Sequence, residues 1–222
     1  MNPSVTRTWS SVLFDLDGTI LDSAPGIVDS LIDTFNHIGV PVPPRDELMH
    51  YIGPPLLVSF QERLGMTEEQ ARETLAIYRN DFRKDGAFDA AIYPGVIGLL
   101  DSLTHAGIPI ALATSKPKVQ TDRILEHFDL TKYFAVVSGA AENEQHSSKA
   151  DIVGFALTEL TAQGVDVSRS IMVGDRIYDV EGSAAHGVPS IIVEWGYGSP
   201  EEARGALATV YSADQLREFL IG

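Results

Sequence analysis

The stretch Val12-Leu13-Phe14-Asp15-Leu16-Asp17-Gly18-Thr19 sets two carboxylates at i, i+2 directly behind three apolar residues, with a glycine and a hydroxyl following. A short apolar run with β-branched and aromatic members reads as a buried strand. Side chains alternate along a strand, so Asp15 and Asp17 project the same way until Gly18 breaks the pattern. In open α/β sheets ligands bind at the carboxyl ends of strands. Taken alone, Asp-x-Asp-Gly is also turn chemistry. A calcium loop counted from Asp15 fails, because its twelfth position is Gly26 where a glutamate is needed.

Further polar groups recur behind later apolar runs. Thr114, Ser115 and Lys116 follow the run 108–113, Lys149 opens a helix, and Asp175 and Asp179 follow the run 170–173 at i, i+4. Each has a plain structural reading: a helix N-cap, a surface lysine, a solvated helix face. Gathered on one sheet edge they are coherent. Asp15, Asp17 and Asp175, with Asp179 close by, offer the hard oxygen ligands that magnesium takes. The metal would offset repulsion among the acids. Lys149 adds a second positive charge, and Thr114 with the amides at the start of its helix offers donors to an anion. That is a phosphate site with a carboxylate beside it.

The elements that would position these groups fall into two sorts. After the first strand, Ser23 as N-cap with Pro25 just inside opens a helix carrying Ile27, Val28, Leu31, Ile32, Phe35 and Ile38, which Gly39 and the prolines at 41–44 end. Helices are expected at about 55–64 and Glu68–Lys84, the second with a capping box at Thr67 and Gln70. From Tyr93-Pro94-Gly95 onward helix and strand alternate. Strands are expected at 108–113, 134–137, 170–173, 189–193 and 208–211, and the closing helices at 151–161, 177–185 and 213–220. Such alternation implies a parallel sheet covered on both faces. The expected fold is therefore α/β: a Rossmann-like doubly wound core, residues 1–21 and 89–222, with an all-helical cap domain, 22–88, inserted after the first strand. Linkers near 20–22 and 87–93 would let the cap hinge and close.

The chain has 222 residues, 44% apolar and 21% charged, and a net charge of −15. That balance argues against nucleic acid, whose phosphates need Lys and Arg. With no cysteine there is no disulfide frame, thiolate or Cys-built zinc site. No apolar stretch approaches the roughly 18 residues of a membrane span, and no apolar signal core follows the N-terminus. The expectation is a cytoplasmic protein, monomer or homodimer.

Asp-Leu-Asp-Gly-Thr, Ala-Thr-Ser-Lys-Pro, Lys149 and Gly-Asp-x-x-x-Asp resemble the four motifs of the haloacid dehalogenase-like hydrolase superfamily, in that order and over most of the chain. The helical block is similar to the family's type 1 cap. Ile52-Gly53-Pro54-Pro55-Leu56 and Trp195-Gly196-Tyr197-Gly198 resemble its phosphoglycolate phosphatase-type members. Many relatives follow the motif lysine with Pro-x-Pro, whereas this chain reads Ser147-Ser148-Lys149-Ala150-Asp151. The resemblance implies an aspartyl-phosphate on Asp15, acid–base work by Asp17, and magnesium on Asp15, the Asp17 carbonyl and Asp175. Phosphoryl contacts would come from Thr114 and Lys149, with Gly18, Thr19, Gly53, Ser115 and Lys116 lining the substrate site. The substrate would be a small phosphorylated metabolite. A 5′-nucleotidase or pyrophosphatase uses the same groups, as does a sugar-phosphate mutase. A phospho-receiver domain is the reading from outside the enzymes, but it is shorter and lacks a helical insertion.

Overall fold

A computed structural model of the chain describes residues 8–84, 86–141 and 147–222. Six strands form one parallel sheet in the order β5-β4-β1-β6-β7-β8. They are β1 (Ser11–Phe14), β4 (Ile110–Pro117), β5 (Val136–Ala140), β6 (Ser170–Gly174), β7 (Ser190–Val193) and β8 (Ala208–Val210). β1 lies at the centre, in register Phe14 with Leu112 on one side and Phe14 with Val173 on the other. The chain winds outward from β1 through β4 to β5, then returns to β6 on the opposite flank. The carboxyl end of β1 is thus the switch point, where a crevice opens in such sheets.

Strand alternation sorts the core. Val12 and Phe14 face one apolar layer with Leu99, Leu100, Leu125 and Leu216. These come from the helices α5 (Val96–His105), α6 (Lys118–His127) and α9 (Ala213–Ile221). Leu13 faces the other layer, with Ile152, Val153, Ala156 and Leu160. The helices on that side are α7 (Lys149–Ala162) and α8 (Ile177–Ala184). The expected doubly wound sheet is what the structure has.

Between β1 and α5 lie α1 (Ala24–Ile38), α2 (Arg45–Leu48), α3 (Leu56–Leu64) and α4 (Glu68–Lys84). Ala71, Leu75, Tyr78 and Phe82 recur along α4 and are all buried, the apolar stripe of a helix packed on one side. Phe35, Tyr51 and Phe60 meet with ring centroids 5.8 to 6.2 Å apart, a tilted geometry that suits aromatic quadrupoles. The capping box forms: Thr67 N–H donates to Gln70 Oε1 and Gln70 N–H to Thr67 Oγ1.

Several boundaries differ from those read in the sequence. The short α2 was not anticipated, nor was the antiparallel ribbon of β2 (Leu21–Asp22) and β3 (Ala91–Ile92), which pairs the two linkers. Two residues per strand carry no readable period. β4 runs on through Thr114–Pro117 with a register shift against β5, because pairing with β5 continues past the apolar run. Ser23 occupies the N-cap of α1 but makes no side-chain cap bond; its hydroxyl is used elsewhere. No helix among the described residues is long and apolar enough to cross a membrane.

Phe60 is fully buried between two rings, and truncation would leave a cavity. Phe60→Ala should cost about 3–5 kcal/mol, read as a lowered urea midpoint.

Candidate active site

β1 delivers Asp15 one residue beyond its last paired residue. The Asp15 N–H donates to Val173 O at 2.9 Å, extending the ladder. The chain then turns tightly, with Gly18 N–H donating to Leu21 O at 2.8 Å. Gly18 has φ +84°, and a Cβ there would collide with the Asp175 carboxylate. Only glycine lets the turn lie against that acid.

Lys149 arrives as the first residue of α7, where the Ser148 hydroxyl accepts the Asp151 N–H at 3.1 Å. Its ammonium lies 2.9 Å from Asp15 Oδ1 and 2.8 Å from Asp179 Oδ1, and donates to Ala113 O at 3.0 Å. Asp179 is 0% exposed. Its second oxygen accepts the N–H groups of Asp175 and Arg176 at 3.2 and 3.1 Å, which fixes the loop leaving β6. Asp175 accepts the Tyr197 N–H at 2.7 Å on Oδ2, while its Oδ1 is buried without a hydrogen-bond partner.

The carboxylates of Asp15, Asp175 and Asp179 offer ligand atoms within 4.8 Å of one another. Hard oxygens, an orphaned buried carboxylate oxygen and like charges in close approach fit a divalent cation. Burial, before the neighbouring acids, pushes Asp15 up to about 6 against the pull of Lys149. Asp175 is raised well above the usual range, first by burial and then by Asp179 and Asp15. Burial pulls an ammonium down, but Asp15 and Asp179 outweigh it and raise Lys149.

Asp17 takes a different direction. The Ser23 hydroxyl donates to its Oδ1 at 2.5 Å, and the Lys116 ammonium lies 3.1 Å from its Oδ2. Lys116 is buried and its ammonium sits 4.6 Å from the centre of the Phe82 ring. Asp17's carboxylate is therefore outside the three-acid cluster. Thr114 Oγ1 accepts the Lys116 N–H at 3.2 Å within the β4 extension, so Thr114 belongs to a strand end, and Pro117 is the N-cap of α6.

A cleft opens over this edge. Asp15, Asp17, Thr114, Ser115 and Lys116 line it on the sheet side, with Gln120 from α6; Tyr51, Gly53, Leu75, Tyr78 and Arg79 line it on the helical side. Lys149, Asp175 and Asp179 are not among the lining residues, nor are Gly18 and Thr19, whose buried hydroxyl has no partner. Reading the sequence missed Tyr51, Tyr78, Arg79 and Gln120, which sit on ordinary helical stretches, and it missed Arg176. The Arg176 side chain donates to the Ile52 carbonyl in the helical block and to Glu202 Oε2 at 2.8 Å. Tyr197, from the stretch 195–198, donates its hydroxyl to Asp22 at 3.0 Å and accepts the Ser23 N–H at 2.7 Å.

A central parallel sheet with paired acids at its switch-point edge, and a helical block inserted above them, defines a class of α/β enzyme with a cleft between its two parts. The chain belongs to the haloacid dehalogenase-like hydrolase family, whose model matches residues 12–193. It is 40% identical over 213 residues to the "Tyrosine-protein kinase PtkA" of Mycobacterium tuberculosis strain H37Rv, over 94% of this chain and 72% of that protein. It is 34% identical over 214 residues to a "5'-nucleotidase" of Pseudomonas aeruginosa, covering 96% of each. A "Phosphoglycolate phosphatase" of Agrobacterium fabrum is 32% identical over 190 residues, 83% of this chain and 80% of that one. The fold matches the crystal structure of "a predicted phosphatase from Clostridium acetobutylicum" with a TM-score of 0.89 and 38% identity, over 95% and 97% of the two chains. The family resemblance read from the four motifs is borne out.

Asp15 binds a proton in the folded chain below about pH 6 and in the unfolded chain only below about 3.8. The folded state therefore holds more protons between those values, and this group adds stability as pH falls through 6. In thermal melts with EDTA, wild type should gain on Asp15→Asn between about pH 7.5 and about pH 5. An unchanged difference would contradict the raised Asp15.

Proposed function

We propose that this chain is a magnesium-dependent phosphatase that hydrolyses a small phosphorylated metabolite through an aspartyl-phosphate on Asp15. The observation that carries the reading is the setting of Asp15. It lines the cleft, an ammonium lies 2.9 Å away, and the orphaned Asp175 oxygen belongs to the same cluster. Asp15 and Asp175 would hold the magnesium ion, with the Asp17 carbonyl and with Asp179 close by. The ion would supply positive charge against the phosphoryl oxygens.

The Asp15 carboxylate attacks phosphorus, and the bond from phosphorus to the ester oxygen breaks. Asp17 gives its proton to the departing alkoxide. It then takes a proton from the water that attacks the aspartyl-phosphate, which releases inorganic phosphate and restores Asp15. Ser23 and Lys116 hold the Asp17 carboxylate in place. Thr114 accepts a backbone N–H, which leaves its own proton to donate to a phosphoryl oxygen. Ser115 and Lys116 line the same wall.

The Lys149 ammonium donates to the Ala113 carbonyl and lies in ion-pair contact with Asp15 and Asp179. Its service to the phosphoryl group is charge, delivered through a fixed Asp15. The block 22–88 is read as a cap domain that hinges at the β2–β3 ribbon and closes on substrate. In this arrangement Arg176 and Tyr197 reach from the core to Ile52, Asp22 and Ser23. Phosphoglycolate, the first expectation from the sequence, and a nucleoside monophosphate or pyrophosphate, its alternatives, would all meet these groups through their phosphate, and the rest of the cleft must choose among them.

Nitrophenyl phosphate has a leaving group that needs no proton. Asp17→Asn should give a burst of nitrophenol followed by slow turnover, because the base for water is gone, and Asp15→Asn should give no burst. Stopped-flow absorbance checks both, and the reverse pattern would exchange the two roles. Wild-type activity should vanish with EDTA and return with magnesium. A sample that transfers phosphate from ATP to a tyrosine peptide, yet releases none from esters, would overturn the phosphatase reading.

A further inference from the structure

We propose that Gln120 determines specificity by donating a hydrogen bond to the organic half of the substrate, and that this half is a mainly apolar body carrying a neutral hydrogen-bond acceptor. The inference rests on the phosphatase reading and concerns the part of the cleft that does no chemistry.

Gln120 is the third residue of α6 and only 5% exposed. It lines the cleft, and its amide nitrogen is buried with no hydrogen-bond partner. Buried polar groups in native proteins are nearly always paired, and an orphan carries the full penalty of desolvation. The neighbouring Lys118 and Val119 are exposed on the same turn, so the helix has solvent-facing positions that would suit a polar side chain. A leucine at 120 would fill the space without that penalty. A donor held ready inside a cleft is explained by a ligand that accepts from it.

The surroundings define the rest of the ligand. Ile27, Tyr51, Leu56, Leu75 and Tyr78 line the same cleft, which favours an apolar or flat body over a compact ion. Phosphoglycolate would bring a second carboxylate and no apolar surface, leaving those side chains unmatched. An uncharged heterocycle or carbonyl compound joined to phosphate matches both features. A site built around a donor also rejects analogues that lack the acceptor, because the donor is then left unpaired.

The test compares wild type with Gln120→Leu and Gln120→Glu on three esters with magnesium. Uridine 5′-monophosphate has carbonyl acceptors on a flat neutral ring, phenyl phosphate has the ring without an acceptor, and phosphoglycolate has neither ring nor neutral acceptor. Wild type should prefer the uridine ester. Both variants should lower kcat/KM for it at least tenfold more than for phenyl phosphate, chiefly through KM. Without ligand, Gln120→Leu should melt at the same temperature as wild type or higher, since it removes an unpaired buried amide; a lowered melting temperature would mark Gln120 as structural and overturn the proposal. Equal losses on all three esters would direct the amide to the phosphoryl group instead, and a wild-type preference for phosphoglycolate would also overturn it. Wild type that hydrolyses none of the three while its melting temperature rises with uridine 5′-monophosphate, and does not in Gln120→Leu, would refute the phosphatase reading and retain the role of Gln120.

Discussion

The site depends on one buried ion cluster: the Lys149 ammonium between Asp15 and Asp179. Taking charges out of water costs several kcal/mol each, recovered only when geometry is good and every remaining donor is paired. Here the Lys149 ammonium lies 2.9 and 2.8 Å from the two carboxylates and donates to the Ala113 carbonyl within β4, the strand beside β1. The cluster ties the end of β1 and the middle of β4 to the starts of α7 and α8. The packing around it is equally committed. Gly182 faces the lysine stem, and a Cβ there would lie 2.6 Å from Lys149 Cγ. Asp179 in turn holds two amides of the loop that carries Asp175. The lysine therefore sets the position of Asp15 directly and that of Asp175 through one intermediary.

The two acids of the first motif each have their own lysine, Lys149 on Asp15 and Lys116 on Asp17. Their environments differ in other ways. Asp15 has two further carboxylates within ligand distance and is raised by burial. Asp17 has a serine hydroxyl, a cation seated on an aromatic ring, and a place on the cleft wall. One acid is set among metal-ligand groups, the other among groups that fix a side chain near solvent. That is a division of labour by neighbourhood, in two residues of identical type.

Much of this was legible in the chain because it rests on local patterns. The apolar runs that lead into Asp15, Thr114 and Asp175 mark the three adjacent strands β1, β4 and β6, and parallel winding then brings their ends together. The i, i+4 spacing of Asp175 and Asp179 does bring the two acids together, though as a loop residue and the helix residue that holds its loop rather than as two positions on one helix face. What was not legible depends on contacts distant in sequence. Ser23 looks like a cap, and only the turn after β1 brings Asp17 close enough to take its hydroxyl. Lys116 looks like one more phosphate contact, and only the overrun of β4 turns it toward Asp17. Gln120 carries no sequence signal, since a glutamine in the first turn of a helix is unremarkable until the opposite wall buries it. The ribbon of β2 and β3 is too short for any period to show, and its pairing joins residues seventy positions apart.

Charge at the sheet edge constrains what can enter. Asp15, Asp17, Asp175 and Asp179 oppose Lys116 and Lys149, while Arg176 is paired with Glu202. With all four acids ionised the edge is negative, and the chain as a whole carries −15. A phosphate dianion approaching that edge is repelled, and the repulsion strengthens as water is excluded and the local dielectric falls. Thr114 and the backbone can donate hydrogen bonds, but they bring no net charge. Protonating Asp15 would relieve part of the repulsion at the cost of the nucleophile in the proposed mechanism. Added positive charge beside Asp15 would relieve it without that cost, and the orphaned oxygen of Asp175 lies in the same three-acid cluster. A negative surface draws cations toward such a cluster. The acidic composition that argues against nucleic acid thus suits a sheet edge whose buried acids could hold a divalent cation.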